Sequence, residues 1–255
     1  LKLSDVSFHL NRLVLAGDEI VTMSEEGNHF NFFLVDADNV NDADRIDKSL
    51  SSEQVTIIDF VIPFRNSLIV FTKAVRQFEL NSPERLTKET AQFTPSTHYA
   101  TTADVRPVPM HDSIFFTGPE GDRARMFDYR YFDDSVSNRA DDVTAHVPDL
   151  LPVTIKRLVG HPNSGTMIAL PTDGNVLYVY QQLIDRNQRE QAAWGKWPFH
   201  ANYEIDDIAI IEDVLYMLVH DTDQHRRILE KIEHADMLAD LDTTGGQSLP
   251  TVTCT

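Results

Sequence analysis

The stretch that decides the fold is residues 56–71, TIIDFVIPFRNSLIVF. Residues 56–64 and 68–71 carry apolar side chains on both faces of an extended chain, and a polar turn at Arg65 and Asn66 separates them. A third strand pattern follows at residues 75–80, VRQFEL. Strands that are apolar on both faces are typical of sheets covered on both sides. This stretch therefore predicts a hairpin and a third strand, with other layers packed on each face.

The same arrangement of strand, polar turn, strand, loop and strand recurs along the chain. Its first turns lie near residues 11, 65, 111, 162 and 212, so the intervals are 54, 46, 51 and 50 residues. A four-stranded propeller blade repeats at about 40–50 residues. The spacing predicts an all-β fold of β-propeller-like repeats in one segment, residues 1–255. We place the repeats near residues 5–36, 55–80, 104–131, 155–199 and 204–233, with 68–71 and 214–218 as equivalent strands.

Two features leave the architecture open. Short strands separated by turns also fit an irregular β-sandwich. The chain starts without methionine and ends in a polar run, so we expect it to be a portion of a longer polypeptide that holds an incomplete set of blades. Residues 234–240 are the one persuasive helix candidate.

Composition narrows the class of protein. The formal net charge is -18, from 40 acidic and 22 basic residues. Such a surface repels nucleic acid, and no basic cluster with interleaved aromatic residues suggests stable DNA binding. The sequence has no stretch near the roughly 18 apolar residues of a membrane helix, and residues 1–5 lack signal-peptide features. The single cysteine, Cys254, allows no internal disulfide, which suits folding in a reducing cytoplasm.

Metal-binding patterns are weak. His220 and His225 flank Asp221 and Asp223, but a predicted loop between two strands explains them better than a metal site. Residues 36–44, DADNVNDAD, suggest calcium but fail the EF-hand pattern, because Val40 occupies a ligand position and no glycine hinge follows. We expect no metal and no cofactor.

Three pairs of neighbouring carboxylates could suggest glycoside hydrolysis. Adjacent residues of a strand point to opposite faces, so such a pair would not flank one sugar bond. The chain also has no GxSxG, P-loop or GxGxxG motif. We therefore expect no enzyme. The three pairs are Asp133-Asp134, Asp141-Asp142 and Asp206-Asp207.

The segment AWGKWPF, residues 193–199, holds the two tryptophans. We expect Trp194 and Trp197 to share one face of a strand, where they could form a ligand platform. Packing between blades is the favoured interpretation, because large aromatic side chains dominate cores and interfaces.

Three stretches resemble the tail nozzle proteins of short-tailed bacteriophages, also called tail tubular protein B. They are residues 8–24, FHLNRLVLAGDEIVTMS, leading into NHFNFF at 28–33; residues 140–152, ADDVTAHVPDLLP; and WGKWPF at 194–199 with a strand pair ending in LEKI at 229–232. Their order and spacing also resemble the family's, so the resemblance covers nearly the whole chain.

The resemblance implies a structural virion protein, made in the host cytoplasm and located in the tail. It implies a homo-hexameric ring around the DNA channel, with the portal-adaptor protein and the tail fibres as partners. DNA would pass through transiently, and we hypothesise an acidic lining that does not hold it. Family chains are longer than this one. We predict structural roles, not catalytic ones, for the motif residues Asn11, Arg12, Asn31, Phe32, Phe33, Ala140, Asp141, Asp142, His146, Pro148, Trp194 and Trp197.

Two other functions fit the composition. An extracellular propeller enzyme acting on polysaccharide would need convergent carboxylates in a central pocket. A generic protein-binding propeller would need no further chemistry.

Overall fold

The computed structural model describes residues 2–34, 41–50, 55–73, 76–82, 85–132, 137–185 and 188–233. Within these ranges the chain is all-β, with nineteen strands in five antiparallel sheets and one short 3-10 helix, Pro162–Ser164. The helix candidate at 234–240 lies outside the described residues. The chain divides into two compact units, Leu1–Gly121 with Arg125–Pro148, and Asp122–Ala124 with Asp149–Thr255.

The first unit contains three four-stranded sheets, here numbered 1 to 3 in chain order. Each is a meander in which neighbouring strands follow one another in the sequence. Sheet 1 has β1 (Leu3–His9), β2 (Arg12–Gly17), β3 (Ile20–Met23) and β4 (Ile46–Ser49). Sheet 2 has β5 (Ile58–Phe64), β6 (Ser67–Thr72), β7 (Gln77–Asn81) and β8 (Gln92–Thr97). Sheet 3 has β9 (Val108–Met110), β10 (Ser113–Glu120), β11 (Arg123–Phe132) and β12 (Ser137–Asp142).

The second unit contains sheets 4 and 5, which are also meanders. Sheet 4 has β13 (Ile155–His161), β14 (Thr166–Pro171), β15 (Val176–Asp185) and β16 (Gln188–Pro198). Sheet 5 has β17 (Tyr203–Ile211), β18 (Val214–Asp221) and β19 (Arg226–Glu233).

Sheet 2 is covered on both faces, as the apolar pattern of residues 56–71 predicts. One face shares a core with sheet 1, in which Val61 and Leu68 lie with Val14. The opposite face shares a second core with sheet 3, in which Ile62 and Phe71 lie with Phe116. Successive residues of β5 and β6 thus enter two different cores, because side chains alternate across a strand.

The second unit repeats this packing with one shared core. Ile168 and Leu177 of sheet 4 lie with Ile208, Leu215 and Met217 of sheet 5. Sheet-on-sheet packing of consecutive meanders is the arrangement of propeller blades, and the described chain has a propeller-like all-β fold. Residues 68–71 and 214–218 lie in the second strands of sheets 2 and 5, so their predicted equivalence is confirmed.

A β-bulge recurs near the start of the first strand in four sheets. The register shifts between Leu3 and Asp5, Ile58 and Phe60, Ile155 and Arg157, and Ile205 and Asp207. A bulge increases the local twist of a strand and redirects the side chains beside it. The repeat is therefore one of backbone geometry as well as of hydrophobic pattern.

The sequence pattern misses the last strand of the first three sheets. β4, β8 and β12 read IDKS, QFTPST and SNRADD, and they fall outside the predicted repeat ranges. These strands lie at a sheet edge or beside solvent and bury few side chains. They therefore lack the alternation by which a strand is recognised.

The two-residue hairpin turns hold non-glycine residues with left-handed backbone angles. Both turn residues have positive φ at Leu10 and Asn11 (45° and 58°) and at Glu212 and Asp213 (49° and 65°). Two consecutive positive φ angles define the type I′ turn, whose twist matches that of the flanking strands. A side chain with a Cβ is strained there by roughly 1 kcal/mol per residue.

We expect Glu212→Gly to raise the free energy of unfolding by roughly 0.5–1 kcal/mol, because glycine removes this strain. A thermal melt should show the transition about 2 °C higher. Asn66→Gly is the matched control. It lies second in the turn between β5 and β6 and has no positive φ, so glycine there should be neutral or destabilising. A fall in stability for Glu212→Gly would contradict the strain argument.

Candidate functional site

The guanidinium of Arg12 joins the start of β2 to two parts of the connection between β3 and β4, Ser24 and residues 42–44. Arg12 starts β2, and its side chain is 1% exposed. Its Nη1 donates to the backbone oxygens of Ser24 (2.8 Å), Ala43 (3.0 Å) and Asp44 (2.6 Å), and its Nη2 donates to that of Asp42 (2.9 Å). Burial lowers the pKa of Arg12, and the nearby Glu26 carboxylate opposes that shift. One side chain thus satisfies carbonyl groups that no strand reaches.

The segment after β3, residues 24–34, makes hydrogen bonds within itself, to the turn of the first hairpin and to Arg45. Asn31 donates from Nδ2 to the Glu25 carboxylate (2.7 Å), and its Oδ1 accepts from the Phe33 N–H (3.0 Å). The Gly27 N–H donates to the Asn11 oxygen in the turn of the first hairpin (2.9 Å). Arg45 donates to the oxygen of Phe32 (2.8 Å). Asn11, Arg12, Asn31, Phe32 and Phe33 therefore lie in one bonded assembly.

The ADDVTAHVP motif, residues 140–148, ends β12 and turns the chain out of sheet 3. Asp142 accepts from the Thr144 N–H (2.8 Å) and from Arg125 Nη1 (3.0 Å). Ala140 is buried in the core between sheets 2 and 3. His146 and Pro148 are exposed. The buried residues of this motif pack the sheet, and its tip faces solvent.

The two tryptophans lie on opposite faces of β16, so the expectation of a shared face is wrong. Trp194 pairs with Tyr180 and Trp197 with Leu177, in a register without interruption. A separation of three residues places side chains on opposite faces of a strand. Trp197 packs against the core of sheets 4 and 5, and the Trp194 ring lies 5.0 Å from that of Tyr180. They do not form a common platform.

The neighbouring carboxylates Asp141 and Asp142 point to opposite sides, as expected. Asp142 contacts Arg125, whereas Asp141 lies 3.5 Å from Arg130 and 3.6 Å from Arg139. The pair Asp133-Asp134 lies outside the described residues.

Charged residues at the recurrent bulges connect successive sheets. In the first unit Asp5 accepts from the Val61 N–H of β5 (2.9 Å) and contacts the Arg106 guanidinium. In the second unit Arg157 of β13 contacts Asp207 of β17 (2.5 Å). Within sheet 5, Asp206 contacts Arg227 of β19, and this hydrogen bond lowers the pKa of the Asp206 carboxyl. Each of these carboxylates contacts an arginine.

Metal-binding geometry is missing from the part of the chain that the structure describes. No group of three or more His, Cys, Asp or Glu side chains there could hold an ion. Asp221, between the two histidines singled out above, accepts from the N–H groups of Asp223 (3.1 Å) and Gln224 (3.2 Å) in the turn after β18. Five of the nine residues of the calcium-like segment, residues 36–40, lie outside the described residues.

Contacts between arginines and aromatic rings on both faces of β11 are not evident from the sequence. Arg65 lies 4.5 Å from the centre of the Tyr131 ring, and Arg139 lies 4.5 Å from that of Phe132. Arg130 is directly opposite Arg139 across β11 and β12. Arg65 comes from the first turn of sheet 2, so its contact with Tyr131 follows from the stacking of sheets 2 and 3. The contact of Arg139 with Phe132 lies on the other face and follows from the pairing of β11 with β12. Asp128 and Asp141 offset the charge of Arg130.

His161 links the first hairpins of sheets 4 and 5. Its buried ring bonds through Nε2 to Asp213 Oδ1 (2.8 Å), and its Nδ1 accepts from the Ser164 N–H (3.1 Å). Because Nδ1 accepts, Nε2 carries the proton and donates to Asp213. Asn163 Nδ2 also donates to Asp213 (3.1 Å). A turn residue of one sheet is thus bonded to the 3-10 turn of the previous one.

We expect a double-mutant cycle of His161→Phe and Asp213→Asn to give a coupling energy of about 1 kcal/mol, because solvent around the exposed Asp213 carboxylate weakens this charged hydrogen bond. Urea denaturation of the four proteins measures it. Thr172→Ala combined with Asp213→Asn is the control cycle, because Thr172 donates elsewhere, to Thr154. Additive effects in the first cycle would show that the contact does not stabilise the protein.

The described residues contain no helix that is long and apolar enough to span a bilayer. Their fold is one of antiparallel sheets that stack on one another within each unit. Residues 1–249 match the family described as "Bacteriophage nozzle protein". The chain belongs to this family, and it is a structural protein of a phage tail.

The chain is similar to the tail tubular protein gp12 of Escherichia phage T7. The two are 25% identical over 220 residues, which is 85% of this chain. The chain spans only 28% of the length of that relative.

Several solved structures share the fold. They include a Nup170 NTD-Nup53 complex of Chaetomium thermophilum, with TM-score 0.55, 9% identity, and coverage of 98% of this chain and 38% of that one. Hsv2 of Kluyveromyces lactis has TM-score 0.51, 10% identity, and coverage of 91% and 61%. Human WBSCR16 has TM-score 0.51, 13% identity, and coverage of 91% and 62%. At such identities the similarity concerns the fold alone.

Proposed function

We propose that this chain is part of a subunit of the hexameric tail nozzle through which phage DNA is ejected. The observation that carries the proposal is the family match over residues 1–249. The similarity to a tail tubular protein supports the same location. On this proposal the subunit is made in the host cytoplasm, and its partners in the virion are its own copies, the portal-adaptor protein and the tail fibres.

The net charge supports a role in which DNA passes without being held. Duplex DNA carries about one negative charge per 1.7 Å, so a basic lining repeated around a ring would bind the genome through many phosphates. We propose that the DNA-facing surface is mainly acidic, in line with the formal charge of -18. Repulsion between the lining and DNA decays within about 10 Å at moderate salt, which leaves the duplex centred.

We further propose that the chain has no catalytic role. Asp142, Asp206 and Asp207 each contact an arginine. A glycosidase instead needs two carboxyl groups that converge on one bond. The Arg12 assembly and the 140–148 motif supply contacts within and between sheets, and we propose structural roles for their residues.

Electron microscopy of the purified protein and of the virion tests the proposal. We expect sixfold rings, located in the tail, with Asp and Glu outnumbering Lys and Arg along the lumen. At physiological salt, we expect no stable complex with duplex DNA in a filter-binding assay. A ring of other symmetry, a location outside the tail, or a lumen dominated by lysine and arginine would contradict it.

A further inference from the structure

Sheet 1 has an apolar face that the described chain leaves exposed. Val14, Ala16, Val21 and Met23 point into the core shared with sheet 2. On the opposite face, β1 and β2 place Val6 beside Leu15 and Phe8 beside Leu13. Phe8 is 60% exposed and Val6 44% exposed, while Leu13 and Leu15 are half-buried. We call Val6, Phe8, Leu13 and Leu15 the open face.

The open face has the pattern of a covered sheet. A sheet with one solvated face carries polar residues on that face, whereas here β2 is apolar on both faces and β1 places its apolar Val6 and Phe8 on the exposed one. Sheet 2 has the same two-sided pattern, and both of its faces are buried by neighbouring sheets. None of the four side chains of the open face is charged, although the chain has a formal charge of -18. Solubility therefore does not explain this surface.

The segment at residues 24–34 borders the open face and carries two more exposed phenylalanines. Phe30 is 89% exposed and Phe33 is 78% exposed. The His29 ring packs edge-on against Phe8, with 5.3 Å between ring centres, which places this segment next to the open face. The bonds made by Asn31 and Arg45 fix the backbone that carries these rings. Burying these rings on a partner therefore costs little conformational entropy, because the loop is already ordered.

We propose that the open face and Phe30 dock a further antiparallel sheet of the same type, supplied by polypeptide outside residues 1–255 of the same nozzle subunit. Each sheet pair within a described unit packs an apolar face onto the next sheet in the chain, which makes another such sheet the occupant that fits the surface. The tail tubular relative is long enough to supply one, since this chain spans 28% of its length. The proposal rests on family membership and not on the hexamer.

Site-specific photo-cross-linking in the full-length subunit tests the proposal. Benzoylphenylalanine replaces Phe8 in one variant and Phe30 in another, and Leu183 in the control, which is as exposed as Phe8 at 60%. Mass spectrometry then identifies the cross-linked segment. Mixing isotope-labelled and unlabelled protein separates links within one polypeptide from links between copies.

We expect both variants, but not the Leu183 control, to cross-link within one polypeptide to a segment outside residues 1–255. Links between copies would assign the face to a second subunit and overturn the proposal. Links to residues 122–255, or no links at all, would also overturn it. The cross-links are analysed in monomers isolated at low concentration. The absence of a hexamer would contradict the proposed function, but it would not affect this test.

A second measurement does not depend on the cross-linker. Val6→Cys in a Cys254→Ser background should react with a thiol reagent at least 10-fold more slowly than Leu183→Cys in the native monomer, and equally fast in denaturant. Equal rates in the native monomer would show that nothing covers the open face.

Discussion

Replacing Arg12 with alanine is expected to lower the free energy of unfolding by roughly 4 kcal/mol and the Tm by about 10 °C. The buried guanidinium donates to four backbone oxygens, at Ser24, Asp42, Ala43 and Asp44. Alanine leaves these carbonyl groups without that donor and opens a space that water must fill. Chemical denaturation followed by fluorescence or circular dichroism measures the loss.

Two variants separate this explanation from a simple loss of charge. Arg12→Lys keeps the charge, but a single ammonium cannot reach all four oxygens. The loss of unfolding free energy should therefore be about half of that for Arg12→Ala. Arg85→Ala removes an exposed arginine that shares Glu26 with Arg12, and it should leave the Tm unchanged. A small effect for Arg12→Ala, equal to that for Arg85→Ala, would contradict the assigned role.

The sequence predicts the strands that pack into cores, because their hydrophobic pattern and their burial have the same physical cause. Residues 56–71 enter two cores and are apolar on both faces. The polar fourth strands are missed for the converse reason, since β12 (Ser137–Asp142) is held by its backbone pairing with β11. The bulges also leave no signal in hydrophobicity, although a charged or polar residue lies at each one.

The contacts of the motif residues could be predicted only in part. Asn11 and Arg12 are recognisable as turn residues, but the oxygens that Arg12 binds come from residues 24 and 42–44, far away in sequence. Trp194 and Trp197 are three residues apart, so the two-residue period of a strand places them on opposite faces. His161 and Asp213 lie 52 residues apart, so their contact follows from the packing of sheet 4 on sheet 5.

The second large effect that we expect is a loss of stability on acidification that depends on His9. This residue ends β1 and is 5% exposed, and its Nε2 has no hydrogen-bond partner among the residues that the structure describes. Burial lowers the pKa of His9 from 6.5 to about 4. The charged form is therefore disfavoured in the folded protein. Between pH 6.5 and 4 the unfolded chain binds a proton that the folded chain does not, so stability falls as pH falls through this window.

The size of the loss follows from the two pKa values. A difference of one in pKa corresponds to 1.36 kcal/mol, so His9 should account for about 3 kcal/mol between pH 7 and pH 4. Aspartates and glutamates also titrate towards the acid end, so the informative quantity is the difference between the wild type and His9→Leu.

Leucine cannot bind a proton, and it also removes the unpaired Nε2 from the interior. We expect His9→Leu to be as stable as the wild type at pH 8, and more stable by about 3 kcal/mol at pH 4. His29→Leu is the control for replacing a histidine with leucine, because His29 is less buried than His9. Parallel pH profiles for the wild type and His9→Leu would show that His9 becomes protonated in the folded protein at no cost.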